Sequence, residues 1–196
     1  YKQMAEFNAL RQRLMQLTDA PVDSSLAASA GILNLPETHY QYVRPGIMLY
    51  GGSPVVGTTG AELGLLPAMT LKARLMAINE AKAGSTVGYG ARYTCKQNTR
   101  VGVVGIGYAD GYPRSATDGT PVVVHVQGQA LRTRMIGRVS MDMITIDLTG
   151  IDAAQIGDEV TLWGAGLSAD EVARYSDTIS YELFTKVTQR VHVEYV

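Results

Sequence analysis

The chain has 196 residues, 46% of them hydrophobic and 18% charged, with a formal net charge of −1. That length holds one large domain or two unequal parts, and the balance is ordinary for a soluble globular chain. Near-neutral charge without a basic run argues against nucleic acid or an anionic membrane surface as partner, and no apolar stretch is long enough to span a bilayer.

Residues 1–17 (YKQMAEFNALRQRLMQL) place Met4, Phe7, Leu10 and Leu14 at helical spacing, so an amphipathic helix starts at or beside residue 1 and gives way between Asp19 and Val22. The sequence opens without an initiator Met or a signal peptide. So abrupt a start is expected of the C-terminal piece of a longer protein, and the missing signal then says little about compartment. Next, SLAASAGIL reads as a buried strand end. NLPETHYQYV reads as a short helix, with Asn34 near its cap and Pro36 in its first turn, and RPGIMLYG as a second buried strand. A β-α-β order implies a parallel sheet or a (β/α) barrel, incomplete with so few units.

Residues 51–66 (GGSPVVGTTGAELGLL) are glycine-rich, without periodicity, and read as a linker. Beyond them the texture changes. AMTLKARLMAI alternates, with Met69, Leu71, Ala73 and Leu75 on one face, and RVGVVGIG, PVVVHV, LRTRMIG and MITIDL follow at short intervals. VQGQA is a hairpin signal. Residues 67–196 therefore read as a small antiparallel β-barrel or sandwich, ending in two short helices (SADEVARYS, ISYELFTKVTQRV) and a closing strand.

The chemistry-bearing residues are few. His39, His125 and His192 have no metal-ligand spacing, so no metal site is expected. A single cysteine, Cys95, excludes an internal disulfide, permits a reducing compartment, and reads as a strand-end residue rather than a nucleophile. Eleven tyrosines against two phenylalanines show a need for phenol groups, for packing or for chemistry. In GIGYADGYPR, residues 105–114, the ordinary reading is a tight loop, because Gly and Asp supply positive φ and local hydrogen bonds. The sharper reading is a turn that aims Tyr108. Arg44, at a Pro-Gly step, is ordinarily a surface ion pair, although the glycine lets a backbone N–H approach an anion and Ser29 upstream offers a hydroxyl. In GRVSMDM, Met141 and Asp142 read as core and turn. In DTISYELF, Thr178 or Ser180 reads as a helix cap with Glu182 in the first turn, and Tyr181 as a packing residue.

Taken together, VRPGIMLYGGSP, VGYGARYT, GIGYADGYPR, GRVSMDM and TISYEL resemble, in order and spacing, the C-terminal half of the bacterial alanine racemases. The resemblance covers essentially the whole chain. It implies a pyridoxal 5'-phosphate (PLP) enzyme of the cytoplasm, making D-alanine as a peptidoglycan precursor, that works as a homodimer with shared sites. The implied architecture is the end of an N-terminal (β/α)8 barrel in residues 1–50, a linker in 51–66 and a C-terminal β-rich domain in 67–196. The resemblance gives Tyr108 the role of the tyrosine base acting across the dimer on L-alanine, opposite the cofactor lysine. It puts Arg44 against the pyridine nitrogen. Ser29, the N–H groups of Gly46 and Ile47 and the Tyr181 hydroxyl would hold the phosphate, and the Met141 N–H the substrate carboxylate. Lys2, Lys72, Lys82, Lys96 and Lys186 do not sit in the family's lysine motif, so the chain alone is expected to be catalytically silent. Rival readings are a fold-related PLP decarboxylase, against which Arg44 and Tyr108 speak, a broad-specificity amino-acid racemase, and a non-enzymatic β-barrel interaction module.

Overall fold

A computed structural model describes residues 1–196, which divide into two compact units, residues 1–66 and 67–196. In the first unit, helix α1 (Lys2–Met15) buries none of its residues. Its Phe7 ring lies 5.1 Å from that of Tyr40, the Arg11 guanidinium sits 5.7 Å over the same ring, and the Tyr40 hydroxyl donates to Asn8. The predicted strand end stops at Ala28, which forms an isolated parallel bridge with Arg44, and helix α2 (Ser29–Asn34) begins immediately after it. The parallel bridge keeps the expected β-α-β order in minimal form.

Two sequence expectations change here. NLPETHYQYV forms only a 3-10 turn, Pro36–Thr38. GIMLYG is not a strand but a 3-10 turn, Ile47–Tyr50, ended by Gly51 in the left-handed region. An apolar run bounded by glycines cannot by itself distinguish a strand from a buried helical turn. Residues 51–66 include a further 3-10 turn, Ala61–Leu63, and pack within the first unit.

The second unit is an antiparallel barrel. Its strands are β1 (Leu71–Ala81), β2 (Thr86–Val87), β3 (Tyr93–Thr94), β4 (Thr99–Val104), β5 (Pro121–Val126), β6 (Gln129–Arg134), β7 (Ile144–Asp147) and β8 (Glu159–Trp163). Six of them form one sheet in the order β6-β5-β8-β1-β4-β7, while β2 and β3 pair separately as a hairpin. Strand β1 serves two neighbours: its first half pairs with β8 (Leu71 opposite Trp163) and its second with β4 (Leu75 opposite Val104). The Met135–Ile146 bridge and the Thr133 hydroxyl donating to the Asp147 carbonyl draw the two outer strands together. The β5–β6 hairpin turns at Gln127 and Gly128, both at positive φ, as the VQGQA signal predicts.

Alternation along the strands fills the barrel. Leu75, Val104, Val122, Val124, Ile144, Ile146, Val160 and Leu162 are buried almost completely. Tyr112 stacks on Trp163 at 6.0 Å, and both are buried with their polar atoms unpaired. Helix α3 (Ala169–Arg174) starts at Ser168, whose hydroxyl accepts from the Asp170 N–H, and contributes Val172 and Ala173 to the core; α4 (Ser180–Lys186) contributes Leu183. The N-cap of α4 is Ile179, not Thr178 or Ser180 as the sequence reading has it. The Thr178 hydroxyl instead bonds the Glu182 carboxylate, and Ser180 Oγ is buried without a partner. The expected closing strand does not form: residues 191–196 have no regular structure. No helix is long and apolar enough to cross a membrane.

Candidate functional site

Each unit carries its own set of polar groups. In the first, Ser29 opens α2 and is buried, and its Oγ accepts a 2.9 Å hydrogen bond from the Gly46 N–H. That bond ties the start of α2 to the start of the Ile47–Tyr50 turn. Two helical N-termini, whose first N–H groups lack intrahelical acceptors, thus meet beside one hydroxyl. This donor set suits a phosphate or other oxyanion. Arg44 leaves the bridge next to it, and its two terminal nitrogens donate to the Ser25 carbonyl, the Ser25 hydroxyl and the Leu26 carbonyl. The guanidinium is immobilised and its Nε has no protein partner. The surface ion pair that the sequence alone would favour for Arg44 is not formed.

The second unit presents a cleft of about 450 Å³ walled by Tyr89, Arg138 and residues 140–145. Met141 is half exposed there, and its N–H makes no hydrogen bond within the protein, so it can donate to a carboxylate. Tyr89 rides on the β2–β3 hairpin, where Gly88, Gly90 and Ala91 all have positive φ. A Cβ on Gly88 would come within 2.8 Å of the Arg138 nitrogen, so the hairpin lies directly on the loop that leads to Met141. Tyr89 is 73% exposed, against 38% for Tyr108.

Tyr108 begins a 3-10 turn, Tyr108–Asp110, that is bolted down on two sides. Its N–H donates to the Ser140 carbonyl and that of Ala109 to the Met141 carbonyl. Gly107, in extended backbone, makes this approach possible: a Cβ would collide with both carbonyl oxygens. Asp110 closes the turn by accepting from the Gly107 N–H at 2.8 Å. Arg190 pairs with Asp110 at 3.3 Å and with Asp142 at 2.7 Å, so Asp142, read from sequence as a turn residue, is an ionic anchor. Hydrogen bonding to Asp142 and then the charge of Asp110 raise the Arg190 pKa further.

The structure therefore brings Tyr108 and Met141 onto adjoining loops, but it is Tyr89 that shares the cleft wall with Met141. Sequence reading passed over Tyr89 although VGYGARYT was among the motifs. The signal available was a tyrosine flanked by two glycines, akin to the glycine-rich turn that drew attention to Tyr108. Ser29, Gly46, Ile47 and Arg44 form one group in the first unit. Tyr181 belongs to the second, at the start of α4, half exposed, its phenol pKa raised first by partial burial and then by the charge of Asp170. The histidines bond locally or lie exposed, Cys95 is buried just after β3, and no cluster of metal-ligating side chains exists.

Residues 68–195 match the family described as alanine racemase, C-terminal domain, and residues 1–54 the alanine racemase N-terminal domain. The chain is 55% identical over 184 residues to an alanine racemase of Shewanella sp. (strain MR-7), covering 93% of this chain and 50% of that protein. Among solved structures it is similar to the biosynthetic alanine racemase of Pseudomonas aeruginosa, with a TM-score of 0.83 and 50% identity, covering 91% of this chain and 49% of the other. It is also similar to the alanine racemase of Bartonella henselae with covalently bound pyridoxal phosphate, at a TM-score of 0.78 and 29% identity, over 96% of this chain and 50% of that one. The chain spans about half the length of the relatives it matches.

Proposed function

The chain belongs to the alanine racemase family, and from that premise we propose that the whole protein interconverts L- and D-alanine, with PLP as cofactor, as a dimer whose sites draw on both subunits. The observation that carries this reading is a free backbone N–H and an exposed phenol on one cleft wall: Met141 to hold a carboxylate and Tyr89 to move a proton.

The donor set of the first unit fits PLP. Ser29 Oγ with the N–H groups of Gly46 and Ile47 would hold its phosphate, and the free Nε of Arg44 would face its pyridine nitrogen. A guanidinium does not surrender its proton, so Arg44 would leave that nitrogen unprotonated. The cofactor, when bound, supplies delocalisation of the negative charge left on the substrate's α-carbon. Racemisation removes a proton from one face of that carbon and returns one to the other, and two groups on opposite faces do this without either moving. This chain supplies one of them, a phenol, whose ordinary pKa of about 10 requires a neighbouring cation for it to act as base. The other, a lysine, lies outside the motifs this chain carries.

The resemblance assigns the phenol to Tyr108, and the geometry favours Tyr89. A group that reaches another subunit's site must stand proud of its own surface, as Tyr89 does on its glycine-flanked hairpin, whereas Tyr108 is held on a turn tied to the 140s loop. The test is α-proton exchange of L-alanine in D2O by the full-length protein and its Tyr89→Phe and Tyr108→Phe variants. Loss of a general base costs about 10²–10⁴-fold, and that loss is expected for Tyr89→Phe, with D-alanine exchange less affected. A larger loss in Tyr108→Phe returns the role to Tyr108. Absence of alanine interconversion by the wild type refutes the function itself.

A further inference from the structure

The 188–190 segment touches both the Tyr108 turn and the 140s loop that walls the cleft. Thr188 donates its N–H to the Asp110 carbonyl at 3.0 Å and its hydroxyl to the Ala109 carbonyl at 2.9 Å. Arg190 then divides its guanidinium between two carboxylates on different loops, Nε toward Asp110 and Nη2 toward Asp142. Asp110 is mostly buried and uses its other oxygen to close the Tyr108 turn. Asp142 is half exposed and directly follows Met141.

Exposed ion pairs contribute little to stability. Their geometry can still matter: a planar fork gripping two carboxylates fixes the distance and angle between them, which a point charge cannot do. We propose that Arg190 is a positioning residue, a clamp that holds the Met141 loop against the Tyr108 turn so that the Met141 N–H keeps a fixed aim for the substrate carboxylate. This rests on the function proposed above.

The experiment has two arms. In the full-length protein, the carboxylate is held in the ground state and the transition state alike, so loosening its donor raises KM and spares kcat. Arg190→Gln is expected to raise KM for L-alanine roughly tenfold with kcat within about twofold. Arg190→Lys, able to reach one carboxylate only, should fall between Gln and wild type. Asp142→Asn should raise KM in the same direction, and the Arg190→Gln/Asp142→Asn double variant should add nothing beyond Arg190→Gln, which already removes the contact that Asp142→Asn breaks. A merely structural arginine gives the opposite split: less folded protein, lower kcat and unchanged KM, and that result overturns the clamp. In the second arm, amide hydrogen exchange of this chain is followed at Tyr108 and Ala109, whose N–H groups bond the 140s loop. Exchange at both should quicken in Arg190→Gln. Unchanged exchange overturns the clamp whether or not the whole protein racemises alanine, whereas a silent wild type with quickened exchange refutes the function and leaves the clamp standing.

Discussion

Replacing Gly107 by alanine tests how tightly the Tyr108 turn is seated. The backbone at Gly107 is extended, with φ −149°, so alanine adopts it without strain and the only obstacle is space. The added Cβ meets the carbonyls of Ser140 and Met141, which accept from Tyr108 and Ala109. Relief requires the two loops to part, lengthening two hydrogen bonds worth about 1 kcal/mol each. Alanine's stiffer unfolded chain returns about 0.4–1 kcal/mol. The net loss is about 1–2 kcal/mol, or roughly 2–8 °C in Tm for a chain of this size. The assay is urea unfolding followed by fluorescence of Trp163, the only tryptophan, which is fully buried in the barrel and so reports the second unit alone. A Gly107→Ala midpoint equal to or above wild type, at the same slope, refutes the claim that close approach is why glycine stands there.

Other outcomes follow from single contacts. Tyr112→Phe removes a buried hydroxyl that has no partner, so it should stabilise the barrel by about 1 kcal/mol; burial also pushes the Tyr112 phenol above the ordinary tyrosine range, and an ultraviolet titration should leave one tyrosine un-ionised until alkali unfolds the chain. Glu182 is held below the usual carboxylate range by its hydrogen bonds to Lys186 and then Thr178. A lowered folded pKa means the stabilisation is present above the ordinary Glu value and fades as pH falls through the folded one. Glu182→Gln should therefore lower the urea midpoint at neutral pH and match wild type in acid. Ser29→Ala deletes the hydroxyl that meets the Gly46 N–H, and PLP retention by the full-length protein, measured by dialysis and absorbance, should weaken about 5–30-fold at roughly 1–2 kcal/mol.

The barrel was legible because each strand reports its own burial. In β1, Leu71 and Leu75 face inward while Lys72 and Met76 face out, and that alternation is written in the residues themselves. The first unit was less legible. Ile47 is buried and flanked by glycine, as in a strand, but the pairing partner that would make it one is not there, and the chain turns instead. The C-terminal residues 191–196 carry Val191 and Val193 with strand-like alternation and meet no neighbour to pair with. In the candidate site, Ser29 and Gly46 were found by local chemistry, and the structure joins them. Tyr89 against Tyr108 could not be separated that way, because both stand among glycines and the difference lies in which loop each turn leans on. Arg190 gave no sequence signal at all: its partners are 80 and 48 positions away, and only the fold brings them together.

The two-sided pairing of β1 also bears on how the barrel is assembled. Its hairpin-like partner β4 lies nearby in the chain, but β8 lies roughly 90 residues later, so at synthesis rates of about 5–20 residues per second β1 waits on the order of 5–20 s for its second neighbour. During that interval Leu71 and Leu75 are uncovered along an open backbone edge, the arrangement that invites pairing with another chain. Lys72 and Arg74 alternate with those leucines, and like charges on successive copies would repel one another. In the finished barrel Lys72 meets Glu159 of β8 at 2.8 Å and Arg74 donates to the Gly157 carbonyl just before that strand, so the residues that guard the nascent edge find their partners only when the strand that covers it arrives.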